Sequence, residues 1–208
     1  MDRLNRIIVV VAFALIMMGV LPLTAVAGSE SSSSIEPIFQ KAKQDYLQKK
    51  INSSAQQIKK GAAYMESQAQ EASAKGKEAL TASAQELEKL ADDVKKGAVT
   101  SEKRMEESFA RAYLALAVDA HIKSTESWTR KEAAKAGAAL DLANKHLEKS
   151  FTWAGQKVEK STQDVMKKSD EISLKLQKKS NLIAEDVGNR LKDAGNEIEK
   201  FGKRIAPR

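Results

Sequence analysis

The chain has 208 residues, a formal net charge of +7, 5% aromatic residues and no cysteine. The lack of cysteine excludes disulfides, thiol nucleophiles, sulfur-ligated metals and a lipid anchor attached through cysteine. Nucleic-acid binding would need basic residues clustered with stacking aromatics, and no such cluster occurs, so we predict no nucleic-acid partner. Alanine, lysine, glutamate and glutamine are abundant and only three prolines occur, a composition typical of helical proteins.

The first 27 residues have the layout of a signal peptide. Two arginines precede an apolar run over residues 7–23, and the small residues at 25–27 suit a cleavage site. We therefore predict export, to the periplasm or as a secreted protein, with cleavage after residue 27. The alternative is that residues 7–23 remain as an inner-membrane anchor. Residues 28–35 are rich in serine and are predicted to be a flexible spacer.

Residues 36–97 are predicted to form one long helix with a narrow apolar seam. In its second half the apolar residues alternate at spacings of four and three, as in a helix that packs one face on a neighbour. Gly97 is predicted to end this helix, because two lysines precede it and Thr100 or Ser101 can cap the next one. The seam residues are Leu80, Ala84, Leu87, Ala91, Val94 and Ala98.

A second helix is predicted over residues 101–123, before a polar break at 124–127. Its segment 109–122 is apolar on nearly every face, which indicates a helix enclosed by neighbours. We expect this segment to form the core of an all-α fold. The predicted architecture is an elongated antiparallel bundle of long, coiled-coil-like helices over residues 36–205.

The last helix is predicted over residues 130–203. Thr129 and Glu132 have the spacing of a capping box at its start, and Gly155 is the expected hinge. In residues 172–205 the apolar positions recur every eleven residues, which places them along one side of a straight helix. We predict that this segment can project from the bundle and contact a partner or a lipid surface. The stripe is Ile172, Leu176, Ile183, Val187, Leu191, Ile198 and Ile205.

The eleven-residue pattern resembles the amphipathic repeats of apolipoprotein-type and late-embryogenesis-abundant-type proteins. The resemblance is confined to residues 172–205, and it implies a protein that coats lipid surfaces or protects other proteins and membranes. The central helices are also similar to small helical stress proteins of the bacterial periplasm such as the YfdX type. That resemblance implies a stress-protective role.

Two smaller features have alternative interpretations. Phe151 and Trp153, beside Gly155, form either an exposed contact for a partner or lipid, or a buried layer of the bundle. Three glycines recur every seven residues and either admit the close approach of another helix or soften a solvated tail. These glycines are Gly188, Gly195 and Gly202.

No constellation for catalysis or metal binding is found. His121 and His146 are the only histidines, and in an antiparallel hairpin they would lie opposite Lys131 and Glu106, so they would not meet. We therefore predict no catalytic residues, no cofactor and no metal.

The predicted function is that of an exported, non-enzymatic interaction, structural or stress-protective protein that acts through its amphipathic helix seams. The expected partner is another protein or a second copy of the chain. The alternative is an interfacial binder of anionic lipid surfaces through the C-terminal stripe. A third alternative, an enzyme, would need a deep polar cleft around His121 or His146.

Overall fold

The computed structural model describes residues 34–178 and 183–207, which form seven α-helices and no strands. The predicted all-helical class and bundle packing are confirmed. The predicted leader, and the spacer as far as residue 33, lie outside the described residues. Ser34 caps the first helix, accepting a hydrogen bond from the backbone N–H of Glu36. The helices are α1 (Ile35–Leu47), α2 (Ile51–Gln70), α3 (Ala74–Lys95), α4 (Glu102–Thr129), α5 (Ala133–Trp153), α6 (Lys160–Gln177) and α7 (Ala184–Ile205).

The prediction of a single helix over residues 36–97 is wrong. Two turns divide this range into α1, α2 and α3, and neither turn contains glycine or proline. At the first turn Lys49 has the left-handed conformation, with a φ of 59°. At the second turn the hydroxyl of Ser73 accepts a hydrogen bond from the backbone N–H of Gly76 and caps α3. The predicted end at Gly97 is confirmed, since α3 ends two residues earlier and Gly97 has a φ of 70°.

Helix α4 continues to Thr129, so the predicted polar break at 124–127 is wrong. The hydroxyl of Ser124 is buried and donates a hydrogen bond to the carbonyl of Ala136 in α5, which makes a polar residue compatible with the helix interface. The predicted capping box does not form, because the hydroxyl of Thr129 donates to the carbonyl of Thr125 in its own helix. Lys131, with a φ of 60°, makes the turn into α5.

The single helix predicted over residues 130–203 is also wrong, because α5, α6 and α7 occupy this range. Gly155, with a φ of 63°, follows the end of α5, as expected for the hinge. The second interruption, between Gln177 and Ala184, was not predicted from the sequence. It divides the apolar stripe between two helices.

Helix α4 lies at the centre of the packing and contacts α1, α3, α5 and α7. From α4 to α7, each helix packs against the next one along the chain. Helix α7 also packs against α4. The main apolar cluster joins α1 to α5 with the end of α7, and a second cluster joins α5, α6 and the first half of α7. Within the described ranges, none of the helices combines the length and apolar character needed to cross a membrane.

Candidate functional site: an open groove along helix α4

An open groove follows α4 between α3 and α7. Both helices pack on α4 but form no extensive contact with each other, so a strip of α4 remains uncovered between them. Half-buried Leu114 and Val118, with buried Ala115, form the apolar floor. The main section has a volume of about 870 Å³. A further section of about 730 Å³ shares Leu114 and Val118 and reaches His121.

Small residues on α3 and α7 make the walls of the groove. Ala79, Ala82 and Ser83 line it from α3, and Gly195 and Gly202 line it from α7. These small side chains leave the floor accessible where they lie, while longer side chains such as Gln85, Lys89 and Asn196 line other parts of the walls. The hydroxyl oxygen of Ser83 is buried and has no hydrogen-bond partner among the residues that the structure describes.

Two side chains of α4 hold α7 in place along the groove. The Nε2 atom of His121 lies 2.7 Å from the carbonyl oxygen of Leu191, so Nε2 donates this hydrogen bond. At the other end of α7, Nη1 of Arg111 donates to the carbonyl of Ile205 at 3.2 Å. These contacts make α7 antiparallel to α4 and fix the width of the groove.

The close approach of α7 depends on glycine. A methyl group added at Gly195 would lie 2.8 Å from the ring of His121, and one added at Gly202 would lie 3.3 Å from Leu114. Two of the three regularly spaced glycines therefore face another helix at close range, and that helix is α4. The third, Gly188, faces open space.

The groove is polar and cationic at the end near the start of α4. There Nε of Arg111 donates to the Glu86 carboxylate at 2.8 Å, and the Ser108 hydroxyl donates to the same carboxylate. Arg104 pairs with Asp93 of α3. These pairs connect α3 to α4 at this end of the groove, where Glu86, Arg104 and Arg111 line it.

Cations outnumber carboxylates along the whole groove. Among the described residues, Lys89 and Lys192 have no carboxylate partner within ion-pair distance, whereas the other cations do. The groove therefore has a positive excess in which two lysines are free to meet an anion. The lining cations are Lys89, Lys103, Arg104, Arg111, Lys192, Lys203 and Arg204, and the lining carboxylates are Glu86, Glu107 and Glu199.

The predicted apolar stripe lies inside the bundle, apart from one residue. Its α6 members pack against the first half of α7 in the second apolar cluster, and its last members join the main core. Ile183, just before α7, is 67% exposed. The described C-terminal segment therefore packs on the bundle and does not project from it. The buried members are Ile172, Leu176, Val187, Leu191, Ile198 and Ile205.

Phe151 and Trp153 are both buried, which matches the interpretation as a bundle layer rather than an exposed contact. Phe151 stacks on Phe201 of α7, with ring centroids 3.7 Å apart. Trp153 packs edge-on against Phe109 of α4 and against Phe39 of α1. These residues cover the side of α4 that lies away from the groove.

A buried polar contact fixes α1 on this covered side. The Glu36 carboxylate accepts hydrogen bonds from the hydroxyl of Tyr113 at 2.6 Å and from Nε1 of Trp153 at 3.3 Å. Burial by itself raises the pKa of Glu36, but the bonds from Tyr113, Gln40 and Trp153 and the charge of Lys149 outweigh it and lower that pKa. Burial, together with the bond to Glu36, raises the pKa of Tyr113.

The two histidines lie in different environments and do not meet. His146 packs beside Tyr113 on the covered side, where burial lowers its pKa from 6.5 to about 4. His121 lies on α4 at the groove and bonds to α7. In the described ranges no three histidine, aspartate or glutamate side chains converge as a metal site would require.

The groove along α4 was not predicted from the sequence. Its floor lies within the segment 109–122, which was assigned as a whole to an enclosed core. The available signal was the run of small residues on α3, since Ala79, Ala82 and Ser83 cannot cover a neighbouring leucine or valine. The sequence did not indicate that α3 and α7 would pack on the same helix without meeting.

Comparisons with known proteins give no relative: no family model, no curated protein and no solved structure matches this chain.

Proposed function

We propose that this is an exported, non-enzymatic binding protein whose groove along α4 takes an apolar ligand. The observation that carries the proposal is the uncovered apolar floor at Leu114 and Val118, between walls that include the small residues Ala79, Ala82, Ser83, Gly195 and Gly202. The helix seams elsewhere are filled by other helices of the same chain. The groove is therefore a better candidate for a partner than the stripe on which the sequence prediction relied.

The size and chemistry of the groove support a ligand site. Its main section, at about 870 Å³, falls within the range of roughly 300–1,000 Å³ typical of small-molecule sites. Such sites are mostly apolar, with a few polar groups that set the orientation of the ligand. Here the apolar floor leads to Arg104 and Arg111 at one end, which provides that asymmetry.

Titration with an uncharged apolar fluorescent probe, N-phenyl-1-naphthylamine, tests this proposal. We expect one probe per chain, with enhanced emission. Ala82 is exposed and lines the groove, so Ala82→Trp should fill the groove without entering the core and should abolish binding. Ala138, exposed on α5 away from the groove, gives the matched control Ala138→Trp, which should bind as the parent does. Unchanged binding by Ala82→Trp would refute the groove as the site.

A second candidate function is the binding of anionic lipid surfaces by the C-terminal helix. It is supported by α7, whose apolar side chains all lie on one side while charged residues cover the other. Release of α7 from α4 would present this side to a membrane, in the manner of an interfacial helix. This candidate agrees with the apolipoprotein-like pattern.

Vesicle binding by variants of exposed residues tests the second candidate. Ile183→Asp changes a residue that is 67% exposed, whereas a charge at the buried Ile198 would disturb the fold itself. If α7 meets lipid, Ile183→Asp should weaken salt-sensitive binding to phosphatidylglycerol vesicles. Leu142→Asp, at an exposed leucine of α5, should not weaken it. Equal binding by both variants would exclude contact through the start of α7.

A further inference from the structure

We propose that the ligand of the groove is a single-chain amphiphile with an anionic head, that is, a long-chain fatty acid carboxylate. This inference rests on the proposed function, because it assigns a chemical class to the ligand of the same groove. Three features carry it: the width of the floor, the length of the groove and the position of the charges.

The floor is narrow. Leu114 and Val118 are spaced four residues apart and form a column along α4, and the other floor residue of α4 is the small Ala115 beside them. A single extended hydrocarbon chain can lie along such a column and contact both side chains. A partner helix, about 10–12 Å across with its side chains, would need a broader apolar face than this column provides.

The length of the groove suits an acyl chain. From Arg111 to His121, which both line the groove, the axis of α4 rises about 15 Å at 1.5 Å per residue. This distance is comparable with the extended hydrocarbon part of a common fatty acid. The small residues of α3, including Ala79 and Ala82, leave the space above the column free along that distance.

Most of the lining cations lie at one end of the groove, where a carboxylate head would be, and Lys192 lies in the section that contains His121. Arg104, Arg111 and Lys89 line the main section of the groove, and Lys103 and Arg204 line its continuation past the end of α7. The carboxylate of Glu86 faces the same region, but Arg111 and Ser108 already bind it. Lys89 has no ion-pair partner among the described residues and is therefore available to the head group. An apolar column that ends at such cations matches an acyl anion and would leave the head group of an uncharged lipid without a partner.

Calorimetric titration of the delipidated protein with palmitate tests the inference, with the alcohol of the same chain length as the uncharged comparison. We expect one palmitate per chain and affinity for the alcohol lower by about tenfold, the ratio that corresponds to one charge-assisted contact. Lys89→Gln should weaken palmitate binding by about fivefold and leave alcohol binding unchanged. Lys77→Gln, at an exposed lysine of α3 that does not line the groove, is the matched control and should bind as the parent does.

Other results separate the failure of this inference from the failure of the proposed function. If the uncharged probe binds in a manner that Ala82→Trp abolishes but palmitate does not compete, the groove is a site and its assignment to acyl anions is wrong. If neither probe nor palmitate binds, both proposals fail. Binding only to phosphatidylglycerol vesicles, or a concentration-dependent dimer that Ala82→Trp dissociates, would assign the lipid surface or a second copy instead and overturn the inference.

Discussion

The two sides of α4 differ in what covers them. On one side, Phe109 stacks on Phe39 with ring centroids 4.1 Å apart, and Trp153 packs edge-on against both rings. On the other side, Leu114 and Val118 lie at the floor of an open groove. The same helix therefore supplies the core of the fold on its covered side and the candidate ligand site on its open side. A helix that is apolar on nearly every face need not be enclosed on every face.

The largest expected difference between the two sides is in stability. Phe109→Ala removes a fully buried ring and should lower the free energy of unfolding by about 3–5 kcal/mol. Leu114→Ala, in the groove, removes a half-buried side chain and should cost about 1 kcal/mol. Urea unfolding monitored by circular dichroism measures both losses. Equal losses would mean that the groove side is packed as tightly as the covered side.

Two helix glycines outside α4 give a similar contrast between a covered and an open position, at the level of a single methyl group. At Gly137, in the contact of α5 with α6, an added methyl would lie 2.6 Å from the carbonyl oxygen of Ser173. Gly137→Ala should therefore destabilise the protein by about 1–3 kcal/mol. Gly188 faces open space, and Gly188→Ala should stabilise the protein by up to about 1 kcal/mol through its helix propensity. Thermal unfolding of the two variants gives the sign of each change, and a destabilising Gly188→Ala would contradict the open surface at that position.

The two histidines give a comparison by pH. Because the pKa of His146 in the folded protein is lowered from 6.5 to about 4, the unfolded chain takes up a proton on this histidine before the folded protein does. The contribution of neutral His146 to the free energy of unfolding is fully present above pH 6.5 and is lost as the pH falls to about 4. At about 1.36 kcal/mol per pKa unit, this loss is on the order of 3 kcal/mol.

The control for the pH prediction is the histidine on the open side. His146→Gln should reduce the acid-dependent loss of stability between pH 7 and pH 4.5, measured by urea unfolding at each pH. The His121→Gln variant still contains His146, so it should still show the loss of stability at low pH that His146 causes. Identical acid dependence in His146→Gln and in the parent protein would contradict the buried, neutral state of His146.

Periodicity predicted those parts of the fold that depend on local sequence. Five of the six seam residues of α3 are buried, because a four-and-three spacing keeps them on one face, and only Ala98 beyond the helix end is exposed. The stop at Gly97 was also predicted, and Gly155, which was predicted as a hinge within a longer helix, follows the end of α5; glycine adopts positive φ at both positions without strain. The turn at Lys49 was not predicted, and the turn at Lys131 was predicted a few residues too early, at 124–127, because lysine in the left-handed region carries no sequence signal.

The candidate site depends on how distant helices pack together, and the sequence pattern does not indicate that packing. The stripe residues were correctly identified as apolar and one-sided, but which helix covers them is decided by the end of α6 at Gln177 and by the approach of Gly195 to His121. The groove arises because α3 and α7 occupy separate sides of α4. Such a gap between helices far apart in sequence has no periodic signature.

A single labelled cysteine measures most directly whether the groove is an open ligand site, because the parent chain contains no cysteine. Gln85→Cys places an environment-sensitive fluorophore on an exposed residue that lines the groove, and Ala138→Cys places the same fluorophore on the exposed side of α5. On addition of palmitate, we expect an emission change at position 85 that saturates at one ligand per chain, with no change at position 138. No change at position 85, or equal changes at both positions, would contradict the groove as an open ligand site.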